Sequence, residues 1–303
     1  MQNITLTEKQ IPITLQSFYY YLKAEHLQEN TAREHIKNIE RFTAWAKEQN
    51  LVNIEQINYN ELLGYVQNLR SKELSIPTIN IRLNSIRKYY QHLKEEGKAE
   101  SNPAKRIFIK GTIKRVVQNP LTWQQLENLF NQYQQYIAEK NTTYAPHKLA
   151  DQKYIAALSL MIWQGVHSGE MEKMEKQHIN LKEGTIYIAG TRRSKGRELK
   201  LHSMQVIPLH TYLNSLPETQ TKLFATTTHN LTIRLCGQLS GINPQVKNAY
   251  HIRASVILHW LKMYDKRQVQ YMIGHKWISS TEHYQVQELE GLTDLLKKHH
   301  PFS

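Results

Sequence analysis

The sequence predicts a mainly α protein in two parts: an N-terminal four-helix domain, then a second, mostly helical domain with one small antiparallel β-sheet. Three observations carry this. Apolar residues recur at three- and four-residue spacing along most of the 303 residues. Stretches rich in β-formers are confined to a window after residue 184. A helix stop at Ser101-Asn102-Pro103, followed by a basic run, separates two helical regions.

The first domain is placed at 11–100. Leu15, Phe18, Tyr19 and Leu22 mark its first helix, Ile36, Ile39 and Phe42 the second, and Leu62, Leu63, Val66 and Leu69 the third. A fourth opens at Ser75 with Pro77 in its first turn and stops at Gly97. Its apolar stripe is Ile79, Leu83, Ile86, Tyr90 and Leu93. Asn80, Asn84, Arg87 and Gln91 share another stripe, and these side-chain types suit base edges and phosphates. A polar stripe is also simply the wet side of an amphipathic helix, and both readings stay open.

Residues 101–117 read as an extended basic linker, with Lys105, Arg106, Lys110, Lys114 and Arg115 suited to following a phosphate backbone. The second domain is placed at 118–303. Thr122 and Gln125 form a capping-box pattern ahead of Leu126, Leu129 and Phe130. A long apolar helix is expected from Asp151 to about Gln164, ending at Gly165. Thr185 to Ile188 and Leu199 to Leu201 read as a hairpin whose tip carries Arg192, Arg193, Lys195 and Arg197, with a third strand expected at Val206-Ile207-Pro208. From Leu231 onward the pattern is helical.

Composition narrows the function. Lys and Arg number 39 against 26 Asp and Glu, a formal charge of +13. That excess points to a polyanion, most simply nucleic acid. The single Cys236 excludes an internal disulfide and a multi-Cys metal site. A polar N-terminus without an apolar core segment, and a longest apolar run of Ile155 to Trp163, lead to the expectation of a cytoplasmic protein with no membrane partner. The sequence has no Gly-x-x-x-x-Gly-Lys loop, no His-Glu-x-x-His and no clustered carboxylates, so neither cofactor nor metal is expected. Phosphoryl transfer without a metal needs positive charge from Arg, Lys and His, and a side-chain nucleophile.

Ala249-Tyr250-His251-Ile252-Arg253 followed by Gly274-His275 and, nine residues on, Tyr284 is the most specific pattern in the chain. It resembles the catalytic half of the tyrosine recombinases of the phage-integrase type. The resemblance implies an N-terminal core-binding domain and a catalytic domain closing on double-stranded DNA, with a homo-tetramer as the working assembly. It implies Tyr284 as nucleophile forming a 3′-phosphotyrosyl bond, Arg253 and His275 as donors to the phosphate, and Lys195 as the acid that protonates the departing 5′-oxygen. Arg192, Arg193 and Arg197 leave that last assignment open by a residue or two. Residues 285–303 resemble a tail helix that docks on a neighbouring protomer or on its own domain.

Two positions depart from the family pattern. His167, in Gly165-Val166-His167-Ser168-Gly169-Glu170, stands where the first catalytic Arg is expected, and Tyr250 stands where a His is expected. His has one or two N–H groups against five for Arg, although a nearby phosphate would favour its charged form. The leading expectation is a site-specific recombinase. The alternative is a weakened or inactive DNA-binding member of the same family.

Overall fold

A carboxamide holds the segment that follows the N-terminal helices against the last of them. In the computed structural model, which describes residues 11–51, 53–111, 119–140 and 143–284, Asn80 exchanges two hydrogen bonds with the backbone of Ile109. Its Nδ2 donates to the carbonyl at 2.9 Å and its Oδ1 accepts from the N–H at 3.0 Å. The chain forms two units, residues 1–114 and 115–303.

The first unit is built from α1 (Gln16–Ala24), α2 (Glu29–Glu48), α3 (Tyr59–Ser71) and α4 (Ile76–Glu95). Phe18, Leu22, Ile39, Phe42, Leu62, Leu69, Leu83 and Ile86 are buried at the spacing the sequence shows. Ser75 caps α4 with Pro77 in its first turn, and Gly97 takes the left-handed φ of 72° after its end. Buried His35 and Asn38 of α2 both reach Ser85 of α4, at 2.9 and 3.0 Å, so the polar atoms at this helix crossing are paired.

The polar stripe of α4 serves the chain itself. Arg87 donates to the carbonyls of Ala104 and Ile107 at 3.2 and 2.9 Å, and Asn84 accepts from Arg87. Gln91 bonds Glu95 within the helix. The segment expected as an extended linker from residue 101 therefore starts as part of the first unit, with Ala104, Ile107 and Ile109 in its core. Three apolar side chains spaced among basic ones, and carbonyls that need donors, explain the packing. Lys105, Arg106 and Lys110 stay exposed; Lys114 and Arg115 lie outside the described residues.

The second unit is organised around α6 (Ala145–Trp163), which is buried on every side over residues 156–163. Packed on it are α5 (Trp123–Glu139), α8 (Ser203–Ser215), α9 (Thr228–Ile242) and α10 (Ala249–Met263). The helix starts earlier than the apolar pattern, because Pro146 supplies a first turn ahead of Asp151. The capping box of Thr122 and Gln125 is present at the head of α5. Between these elements lie α7 (Ser168–Met171) and a three-stranded antiparallel sheet of β1 (Ile179–Asn180), β2 (Thr185–Ile188) and β3 (Arg197–Lys200), in that order. Last come α11 (Lys266–Ile273) and a helical stretch over 278–284.

The third strand is β1, not Val206-Ile207-Pro208. That stretch lies inside α8, begun by a capping box of His202 and Gln205. Gln205, Leu209 and Tyr212 turn inward at helical spacing, leaving Val206 and Ile207 on the wet face. Pro208 gives up one helix hydrogen bond in the second turn. Among the described residues no helix is long and apolar enough to cross a membrane.

Replacing Asn80 by Ala orphans the Ile109 N–H and carbonyl together. We expect the first unit to lose about 1–3 kcal/mol in urea unfolding, whereas Gln91→Ala, on the exposed rim, should change it by no more than about 0.5 kcal/mol.

Candidate active site

Three turns converge in the second unit. The first follows α6: Gly165 adopts a φ of 56°, Val166 N–H closes back on the Leu160 carbonyl, and the chain enters α7 through His167. A Cβ at Gly165 would lie 2.4 Å from Ile273 Cδ1, so a larger residue would have to displace that side chain as well as take a strained φ. The second is the turn after α11, where Gly274 has a φ of 74° and a Cβ would lie 2.3 Å from Arg197 Nη1. The third is the loop from β2 to β3, whose Lys195 N–H donates to the Gly274 carbonyl at 2.8 Å and whose Ser194 bridges to His275.

At their meeting point sits Glu170, fully buried. Arg197 grips its carboxylate with both terminal nitrogens, at 2.6 and 3.3 Å, and Arg253 Nη1 lies 3.4 Å from it. Burial by itself would raise the Glu170 carboxyl. The hydrogen bond and charge of Arg197 and the charge of Arg253 overcome this and hold it at about 2. It also accepts the His167 backbone N–H at 3.1 Å.

Arg253, on α10, is buried. Its Nη1 also donates to the Gly165 carbonyl and its Nη2 to the Ile273 carbonyl at 2.9 Å. Burial, reinforced by the charge of Arg197 and opposed by Glu170, lowers it to about 10, so it remains a cation near neutral pH. Among the described residues no partner takes Nε–H or the second Nη2–H, which leaves donors for an incoming phosphate.

His275 binds Thr281 Oγ1 through Nδ1 at 2.9 Å, and its ring stacks on Tyr284 with centroids 6.1 Å apart and planes at 14°. Burial, with Arg253 and Arg197 nearby, depresses it to about 4. Tyr284, 7% exposed, has its hydroxyl pushed well up, first by burial and then by the charge and hydrogen bond of Tyr250. The phenol is therefore protonated near neutral pH.

His167 is a capping residue. Its Nδ1 accepts the Gly169 N–H at 3.0 Å, which puts the ring proton on Nε2, 3.7 Å from Glu170. Burial lowers its pKa against the pull of Glu170, with Arg253, Arg197 and Arg193 adding to the lowering. Burial and the cap both favour the neutral ring over the cation expected beside a phosphate, because protonating Nδ1 would break the bond from Gly169.

Residues 15–97 match the phage integrase N-terminal SAM-like domain. Tyrosine recombinase XerC of Oceanobacillus iheyensis is 25% identical over 312 residues, covering 96% of this chain and 97% of the relative. XerC of Bacillus subtilis is 25% identical over 301 residues, covering 94% and 95%. Among solved structures, XerH recombinase bound to its difH substrate aligns with a TM-score of 0.66 at 16% identity, over 92% of this chain and 83% of that one. A lambda integrase dimer bound to a core site aligns at 0.61 and 15%, over 89% and 93%.

The chain belongs to the tyrosine recombinase family.

In this tyrosine recombinase, Arg253, His167 and His275 gather around Glu170, Tyr284 stacks on His275 with Tyr250 beside it, and Lys195 is held at their edge through its backbone. Tyr250, rather than His251, faces Tyr284: His251 turns inward and places Nε2 3.0 Å from the Asn119 carbonyl. Arg197 is not a DNA-facing residue. It is 2% exposed, whereas Arg192, Arg193 and Lys195 of the same loop are exposed. Asn80 and Arg87 are likewise committed to the chain. Asn84 stays exposed beside a groove of about 470 Å³ lined by His35, Asn38, Asn84 and Arg87. Sequence reasoning missed Glu170 as the hub and Thr281 as the His275 partner. The tail at 285–303 lies outside the described residues.

Both His167 and His275 are lowered in the folded state. A histidine depressed by folding contributes stability above its unfolded pKa and loses it as pH falls toward the folded one. The second unit is therefore expected to weaken between about pH 6.5 and 4. Urea midpoints measured across that range for the native chain and for His275→Gln check this. The glutamine variant should show a shallower fall.

Proposed function

We propose that this tyrosine recombinase cuts and rejoins double-stranded DNA at a specific site through a 3′-phosphotyrosyl bond to Tyr284. The observation that carries the reading is the convergence of Arg253, His275 and Tyr284, from α10, the turn after α11 and the final helical stretch, on one cluster. Relatives named as recombinases match along nearly the whole chain, and structures of similar fold were solved on DNA, which supports a DNA substrate.

The roles follow from chemistry. The Tyr284 oxygen attacks phosphorus as its proton passes, by way of the exposed Tyr250 hydroxyl it donates to, into water, and the bond to the 5′-oxygen breaks. Arg253 offers parallel N–H groups to the non-bridging oxygens, which a Lys could not match. His275, neutral, adds one ring N–H. Lys195 supplies the proton for the departing 5′-oxygen, and Arg192 and Arg193 meet the flanking backbone together with Asn84, Gln91, Lys105, Arg106, Lys110, Lys114 and Arg115. Tyr250 is a poor base near neutral pH. With the Tyr284 hydroxyl raised, cleavage is expected to quicken toward alkaline pH. The bond energy is kept in the phosphotyrosine, so no cofactor is required. A homo-tetramer on two duplexes is the assembly we propose for exchange.

His167 is the weak point. A single donor to a developing phosphate charge is worth roughly 3–4 kcal/mol, and a neutral His with Nδ1 occupied offers only Nε2–H.

Nicked duplexes that trap the covalent intermediate, drawn from sequence flanking the gene, test the reading. We expect a denaturant-resistant adduct with the native chain, none with Tyr284→Phe although that variant still binds DNA, and up to about a hundredfold faster formation with His167→Arg. An adduct seen only with His167→Arg would instead establish a DNA-binding protein disarmed at that residue. No adduct with either, or an adduct that survives Tyr284→Phe, would refute the assignment of Tyr284.

A further inference from the structure

We propose that Arg197 is a positioning residue of the active site: it neutralises Glu170 so that the charge of Arg253 is left uncancelled for the scissile phosphate. The proposal rests on the cleavage reading above for the identity of the phosphate.

The charges set the problem. Glu170 is fully buried within 3.4 Å of Arg253. With these two groups alone the pair would be neutral, and an anionic phosphate would find little attraction. An Arg at position 167 could carry the second positive charge, but the residue there is a His whose Nδ1 accepts a backbone N–H. Arg197 brings that charge from the opposite side. Both its terminal nitrogens face the carboxylate, its side chain is fully buried, and its remaining contact is with the Gln164 carbonyl at 3.5 Å. Glu170, Arg197 and Arg253 then sum to one positive charge.

The same guanidinium fixes geometry. It fills the space over Gly274 where any Cβ would stand, and it belongs to the strand that follows Lys195. Lys195 in turn is bonded to Gly274. One side chain thus ties the end of α6, the turn bearing His275 and the loop bearing Lys195. The cost of burying it shows in its Nε, which has no partner among the described residues. A surface arginine suited to DNA would not be placed so.

Three variants separate charge from structure: Arg197→Met, Arg197→Lys, and the pair Glu170→Gln with Arg197→Met. Removing one partner of a buried ion pair strands the other, whereas replacing both leaves no unpaired charge. Two readouts are taken on the full chain, adduct formation on nicked DNA and affinity for inorganic phosphate followed by ³¹P line broadening. We expect Arg197→Met to lower both by about tenfold or more, as outer partners of charged site groups do, with partial rescue by Lys and recovery toward native values in the double variant. Native behaviour of Arg197→Met overturns the proposal, and so does a double variant no better than the single one. If Arg197→Met does not fold, the double variant decides alone: near-native phosphate affinity supports the proposal and its loss overturns it. If even the native chain forms no adduct, the cleavage reading fails while the phosphate series still judges Arg197.

Discussion

A buried carboxylate holds the catalytic half together. Taking Glu170 out of water costs several kcal/mol, and the cost is met because both carboxylate oxygens accept hydrogen bonds and two guanidinium groups face them. Arg197 binds it from β3, Arg253 from α10, and the His167 backbone N–H from the start of α7. Those three segments are far apart in the chain, and nothing apolar would bring them together with such directional demand. Both flanking glycines take a left-handed φ: Gly274 passes close to the Arg197 side chain, and Gly165 passes close to Ile273 while its carbonyl accepts from Arg253.

That network also decides the protonation of the residues around it. Two guanidinium groups beside one carboxylate leave a positive field, and His275 and His167 respond to it and to burial by staying neutral. Tyr284 is governed by burial instead and stays protonated. The resting site therefore holds a permanent cation in Arg253, neutral imidazoles and a neutral phenol. Such an arrangement responds to a phosphate, because added negative charge raises both histidines toward their cationic form.

Much of this was legible in the sequence, for reasons that can be named. Caps are local, so Ser75, Thr122 and Gly97 marked helix ends correctly. The spacing from His275 to Tyr284 is a property of one turn and two helical turns, and it singled out two residues whose rings stack in the fold. Val206-Ile207-Pro208 misled because β-branched residues on the wet face of a helix look like a strand until the burial of Leu209 and Tyr212 is known. The stripe of Asn80 and Arg87 misled because backbone carbonyls at residues 104–109 are invisible to residue-type reasoning. Arg197 was one of four basic residues in a loop, and composition cannot rank them. The pairing register could have. Ile188 faces the core and lies opposite Arg197, and cross-strand partners share a face, so Arg197 was bound inward.

Position 167 shows how one side chain serves two competing demands. As an acceptor, His167 satisfies the Gly169 N–H at the head of α7, a cap worth about 1 kcal/mol. An arginine has no acceptor and would forfeit that bond. As a donor, however, His167 has only Nε2–H to offer, while a guanidinium facing a developing phosphate charge is worth roughly 3–4 kcal/mol. The two magnitudes are unequal and act on different states: the cap stabilises the resting fold, the guanidinium only the reacting one. A chain with His at this position therefore favours an ordered turn over speed, and Arg197, buried where the turn meets the strand, becomes the remaining guanidinium able to keep Glu170 from cancelling Arg253.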